Sequence, residues 1–142
     1  MHTLPVLDKK NIEGLIPQRH PFVMVDSLLD FSETGLSAGY TVPADAVFSA
    51  NNNFLESGLL EHQAQSVALH TGYKFFLKGE VPPTGYIGAV KYFSLIRLPQ
   101  CGEKIITKIE ILAEMNDVTL VKTESKIDDE IIGTSEMKTV LA

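Results

Sequence analysis

The sequence predicts an α+β fold, with one antiparallel sheet packed on a single long helix. Three observations predict it. The stretch Ser57-Gly-Leu-Leu-Glu-His-Gln-Ala-Gln-Ser-Val-Ala-Leu-His-Thr-Gly-Tyr73 is the only long helical run. Four strand-like segments follow Pro82-Pro83 without interruption, and two more precede the helix. A sheet must bury one face, and one helix of about 20 residues can cover much of it.

Taken in order, residues 1–10 form a lead-in segment. Asp8 or Asn11 is placed to cap a short helix over Ile12-Glu-Gly-Leu-Ile16, which Pro17 stops. Phe22-Val-Met-Val is an apolar run suited to a buried strand that continues to Phe31. Ser32-Glu-Thr-Gly35 turns the chain, and Leu36 to Val42 return as the partner strand. Residues Pro43 to Glu56 read as loop, because Asn51, Asn52 and Asn53 compete with regular backbone hydrogen bonding. The helix then starts at Ser57 as N-cap and runs through Lys74-Phe-Phe-Leu-Lys78 to end near Gly79. Tyr86 to Ile96 is a strand, and Leu98-Pro-Gln-Cys-Gly102 is a turn. Lys104 to Glu114 alternates, with Ile105, Thr107, Ile109, Ile111 and Ala113 on one face. Turns at Asn116-Asp117 and Asp128-Asp129 join it to Val118–Lys126 and Glu130–Val140, which makes the last three strands an antiparallel meander.

Composition narrows the function. The 142 residues are expected to form one domain spanning 1–142, and 44% hydrophobic against 21% charged content predicts a packed core. A net charge of −6 argues against a general nucleic-acid binder. The lone Cys101 excludes an internal disulfide, and with four histidines and no cysteine pair neither a metal site nor a cofactor is expected. No apolar run reaches the ~20 residues of a membrane span, and the N-terminus lacks the order of a secretory signal. A soluble cytoplasmic protein is the expectation.

Within the helix, Leu60, Ala64, Val67 and Thr71 stack as a core-facing stripe. Gln65, Ala68 and Gly72 lie within about 40° of Glu61. Ala68 and Gly72 are small and permit close approach, and Glu61 itself stands about one turn from the helix N-terminus, where free N–H groups and partial positive charge favour a carboxylate. Charged side chains are seldom buried without a partner or a purpose, so Glu61 is the candidate catalytic residue. His62 and His70 lie about 100° and 180° from it around the axis and read as helix-surface or dimer-contact residues. Cys101 sits in a turn with no acid–base neighbour in sequence.

Three segments resemble the beta-hydroxyacyl-acyl-carrier-protein dehydratases of the hot-dog fold. Leu15-Ile-Pro-Gln-Arg-His-Pro-Phe-Val-Met-Val-Asp26 is similar to that family's Leu-Pro-His-Arg-Tyr-Pro-Phe-Leu-Leu-Val-Asp. Gly58-Leu-Leu-Glu-His-Gln-Ala-Gln65 is similar to its Glu-Ala-Met-Ala-Gln helix motif, in which the Glu is catalytic. Lys91-Tyr-Phe-Ser-Leu-Ile-Arg-Leu-Pro-Gln-Cys-Gly-Glu103 is similar to its Lys…Phe…Arg…Pro…Gly-Asp run. The family's Gly-His-Phe-Pro-Gly segment, which carries the catalytic base, is replaced by Ala50-Asn-Asn-Asn-Phe-Leu-Glu-Ser-Gly58, and Asn51 falls where the histidine stands. That departure resembles the branch associated with aryl polyene and flexirubin pigment synthesis.

The resemblance implies a hot-dog dimer, two sheets joined edge to edge with acyl tunnels at the seam. The partner is another copy or a second hot-dog subunit, and the substrate is a 3-hydroxyacyl thioester on acyl carrier protein or coenzyme A. Dehydration needs a base at C2, an acid at the C3 hydroxyl, and donors for the developing enolate oxygen. Gly58 or Leu59 would supply the donors from the helix N-terminus. Desolvation at an apolar seam favours a protonated acid, and Gln65 can orient Glu61. Asn51 cannot accept a proton and is assigned to substrate binding. Glu61 is therefore expected to make both proton transfers, unless a partner chain supplies a histidine. Two other readings stay open: an acyl thioesterase that activates water with a helix carboxylate, and a non-catalytic partner subunit of an active dehydratase. Arg19, Lys91 and Arg97 are either solvated charges or a dock for an acidic carrier protein.

Overall fold

The computed structural model describes residues 3–142. In chain order the elements are α1 (Lys9–Glu13), β1 (Ser27–Ser32), β2 (Gly35–Thr41), β3 (Ser49–Ala50), β4 (Asn53–Phe54), α2 (Glu56–Leu77), β5 (Gly85–Leu95), β6 (Lys104–Met115), β7 (Val118–Ile127) and β8 (Glu130–Leu141). Six strands form one antiparallel sheet in the order β1-β2-β6-β7-β8-β5, and α2 packs against it. This is the hot-dog arrangement, with β6-β7-β8 as the expected meander. β5 is an outermost strand, hydrogen-bonded along its length to β8. Among the described residues, no helix is long and apolar enough to cross a membrane.

The turns follow from residue type. Asp128 and Asp129 both adopt positive φ, 50° and 66°, the twist that a two-residue hairpin requires. Asn51 and Asn52 do the same at 52° and 65°, which turns the expected loop into the β3–β4 hairpin. Arg97 closes the β5–β6 connection by donating to both oxygens of Glu103 at 2.9 and 3.0 Å, while the Gln100 N–H donates to Glu103 Oε1 at 2.8 Å. The guanidinium holds the Glu103 carboxyl below its ordinary value. Lys91 pairs with Glu136 on β8 at 3.0 Å.

Four expectations are corrected. The short helix is Lys9–Glu13, not 12–16, because Asp8 accepts the Asn11 N–H at 3.2 Å and starts it earlier. Helix α2 has Leu55 at its N-cap rather than Ser57, with no side-chain cap. Residues Phe22–Val25 are not strand: the Met24 backbone bonds to side chains of α2 instead of a neighbouring strand. His62 and His70 are not surface residues, being 0% and 2% exposed.

That last correction sets the orientation of α2. Its sheet-facing side carries Leu59, His62, Ser66, Leu69, His70 and Tyr73, all buried, whereas Leu60, Ala64 and Thr71 are only partly so. Two apolar clusters result. One gathers Val67, Leu69, Tyr73, Ile109, Val121 and the N-terminal segment; the other gathers Leu59, Phe54, Ile105, Ile127 and Ile132. Between them, along both the helix and β6, lies a polar layer. Gly72 is required where the chain crosses: a Cβ there would run into the Leu15 carbonyl oxygen.

Candidate active site

Glu61 lies in the second turn of α2, half-buried, at a cleft of about 310 Å³ between the helix and the start of β5. Ala64 and Ala68 floor the cleft, Gly85 and Tyr86 wall it, and Gln18 closes one side. A second cleft of about 260 Å³ shares Ala68 and Gly85 with it and runs on past Thr71 and Gly72. The small residues of the expected stripe thus line open space. A separate cleft of about 300 Å³ near α1 holds His20, Asp26, Tyr40 and Asp45. It contains neither Glu61 nor Gln65, and Asp26 there already accepts the Thr41 N–H at 2.7 Å and the Ser27 hydroxyl at 3.1 Å.

Gln65 fixes the carboxyl. Its Oε1 accepts the Met24 N–H at 2.6 Å, and its Nε2 donates to the Phe22 carbonyl at 2.7 Å and to Glu61 Oε1 at 3.0 Å. Because the Met24 N–H can only donate and the Phe22 carbonyl only accept, the amide cannot be turned over without breaking both bonds. Gln65 therefore presents a donor to Glu61 Oε1 and holds that oxygen in place.

Behind this pair runs a buried chain of hydrogen bonds. Gln63 Nε2 donates to Ser125 Oγ at 3.0 Å, and Ser125 and Thr107 are bonded at 2.7 Å. Thr107 meets His62 Nε2 at 2.7 Å, and His62 Nδ1 meets the Met24 carbonyl at 2.6 Å. The carbonyl requires a proton on Nδ1, so a neutral ring must accept at Nε2, which fixes the direction of the whole chain. Burial pushes His62 down to about 4, against a smaller upward pull from the Met24 carbonyl, so the ring is neutral. His70, stacked on Phe31 and bonded to the Ser32 carbonyl at 2.8 Å, is also lowered by burial.

Of the residues singled out in the sequence, Glu61 and Gln65 come together. Gly58 is buried under Phe54, where a Cβ would fall 2.5 Å from the ring, and its first-turn N–H has no intrahelical acceptor. The Leu59 N–H is taken by the Leu55 carbonyl at 3.0 Å, and its side chain is core. Asn51 is an exposed hairpin residue outside the cleft. Arg97 and Lys91 are engaged in the ion pairs above, and Arg19 bonds the Ile16 and Gln18 carbonyls. Sequence reasoning missed Met24, Thr107 and Ser125. The signal available was His62-x-x-x-Ser66, two polar residues one turn apart on a face that also carries Leu69 and Tyr73.

Residues 10–141 match the ApeP-like family, described as ApeP dehydratase. The 3-hydroxyacyl-[acyl-carrier-protein] dehydratase FabZ of Proteus mirabilis is 28% identical over 147 residues, covering 96% of this chain and 92% of the relative. FabZ of Shewanella baltica is 24% identical over 145 residues, covering 92% and 90%. Among solved structures, the dehydratase heterocomplex ApeI:P from Xenorhabdus doucetiae aligns with a TM-score of 0.80 at 16% identity, over 92% of this chain and 90% of that one. The PH1136 protein of Pyrococcus horikoshii aligns at 0.70 and 11% identity, over 99% and 95%. Structural likeness at such identities speaks for the fold; the family match, spanning almost the whole chain, speaks for descent. The chain, with its Glu61-Gln65 pair on the central hot-dog helix, belongs to the ApeP-like dehydratase family.

Proposed function

We propose that this hot-dog domain takes part in dehydrating 3-hydroxyacyl thioesters carried on acyl carrier protein, with Glu61 as the catalytic acid–base group. The observation that carries the reading is Glu61 itself: a half-buried carboxyl group, oriented by Gln65, at the mouth of a cleft floored by small residues. A proton leaves C2 to the Glu61 carboxylate and is delivered to the C3 hydroxyl, which departs as water and leaves a trans-2-enoyl thioester. Gly58, at the helix N-terminus, is the assigned donor to the thioester oxygen. Asn51, at the tip of the β3–β4 hairpin, keeps only the role of a turn residue within its own chain.

The cleft opens beside β5, whose side chains Tyr86, Val90 and Tyr92 are exposed on an outermost strand. Pairing of this edge with a second hot-dog chain would cover the cleft. A second reading is favoured by Asn51 standing where related dehydratases carry a histidine, and by the heterocomplex nature of a close structural match. In it Glu61 acts together with a base from a partner subunit of the same fold.

Mass spectrometry of a 3-hydroxyacyl carrier-protein thioester separates these readings. The chain alone, or with its partner, is expected to remove water, and Glu61→Gln is expected to slow this by about 10²–10⁴-fold. Release of free thiol would mark a thioesterase instead. Dehydration unaffected by Glu61→Gln would overturn the assignment.

A further inference from the structure

We infer that His62, on the sheet-facing side of α2, is a positioning residue for Glu61, acting through the Met24 backbone and Gln65. The inference rests on the reading of Glu61 as the catalytic group. Met24 is bonded on both sides of its α-carbon: its C=O accepts from His62 at 2.6 Å, and its N–H donates to Gln65 at 2.6 Å. Gln65 in turn reaches Glu61 at 3.0 Å. The segment 22–25 has no strand partner, so two side chains of the helix hold it in place. If His62 lets go, the Met24 backbone is free to shift, and the N–H donor that sets the Gln65 amide shifts with it.

His62 can hold that position because it is immobile itself. It is 0% exposed, stacked on Tyr40 at 5.8 Å, and anchored at its other nitrogen by Thr107, which is bonded to Ser125 and through it to Gln63. Buried, fully partnered side chains of this kind hold a neighbouring group within the fractions of an ångström that catalysis needs. The ring does not line the Glu61 cleft and reaches Glu61 only through Met24 and Gln65, so it is not catalytic.

Two substitutions separate positioning from mere packing. In His62→Asn the side-chain amide stands near the place of Nδ1 and can still donate to the Met24 carbonyl, while the Thr107 contact is lost. In His62→Gln the amide reaches toward Thr107 and gives up Met24. Both disturb the core, so a structural role alone predicts similar losses. Positioning predicts that kcat for dehydration falls about tenfold in His62→Gln with KM within about twofold, and that His62→Asn retains kcat within about threefold. Hydrogen exchange at the Met24 amide reads the same geometry without turnover: about tenfold faster in His62→Gln, and near wild type in His62→Asn. Equal kcat and equal exchange in the two variants overturn the positioning role while leaving Glu61 in place. Dehydration that survives Glu61→Gln overturns the underlying reading, and the positioning role with it.

Discussion

The two sides of α2 solve opposite problems with similar residues. Toward the sheet, His62, Gln63, Ser66 and His70 are buried, and their polar atoms are matched by Thr107, Ser125 and backbone carbonyls; Gln63 Oε1 is an exception. Toward β5, Ala64, Ala68 and Gly85 leave a cleft, and Glu61 is the charged group at its edge. Polarity on the first side is consumed internally and specifies how the helix sits. Polarity on the second side is left partly unconsumed: Gln65 takes one Glu61 oxygen, and the other is available to a ligand. Burial alone would point to His62, the most deeply buried titratable group among the described residues, which does not line the Glu61 cleft.

Substitutions on each side should break in different ways. The largest effect is expected from Glu61→Gln, which should lower dehydration by about 10²–10⁴-fold yet change the unfolding free energy by less than about 1 kcal/mol, measured by urea titration. Gly72→Ala should do the reverse. Its methyl group would collide with the Leu15 carbonyl, so we expect a loss of about 3 kcal/mol or more in the same titration.

Acid should act on the sheet-facing side. The unfolded chain binds a proton at His62 near 6.5, and the folded ring only near 4. Stability is then complete above about pH 6.5 and declines as pH falls toward 4, by about 3 kcal/mol from this residue. His70, lowered in the same direction, adds to the decline. His62→Asn should flatten this dependence in urea titrations between pH 7 and 4. The smallest effect belongs to the hairpin. Asn51→Ala should cost about 1 kcal/mol because φ is 52° there, whereas Asn51→Gly should cost nothing measurable. Unaltered turnover in both variants would confirm that Asn51 serves only as a turn residue.

Much of this was legible in the sequence because strands and turns are local. Alternation placed β6, and the turns at Asn116-Asp117 and Asp128-Asp129 placed β7 and β8, each to within about a residue at each end. Alternation in β6 ends where Ile111 and Ala113 flank a bulge. The Glu61-Gln65 pair was legible for a similar reason, since residues four apart on a helix meet. The 22–25 segment was not. Phe22-Val-Met-Val reads as strand by composition, and only the three-dimensional meeting with His62 and Gln65 diverts its backbone bonds to side chains. The helix face was misjudged because apolar periodicity assumes an oily core, whereas this sheet offers Thr107 and Ser125 to a polar helix face.

The most direct measurement is the exchange of solvent deuterium into C2 of a 3-hydroxyacyl carrier-protein thioester, followed by mass spectrometry alongside water loss for wild type and Glu61→Gln. With Glu61 as the group that moves the C2 proton, both rates should collapse together in the variant. Exchange and dehydration continuing at the wild-type pace without that carboxylate would contradict the account.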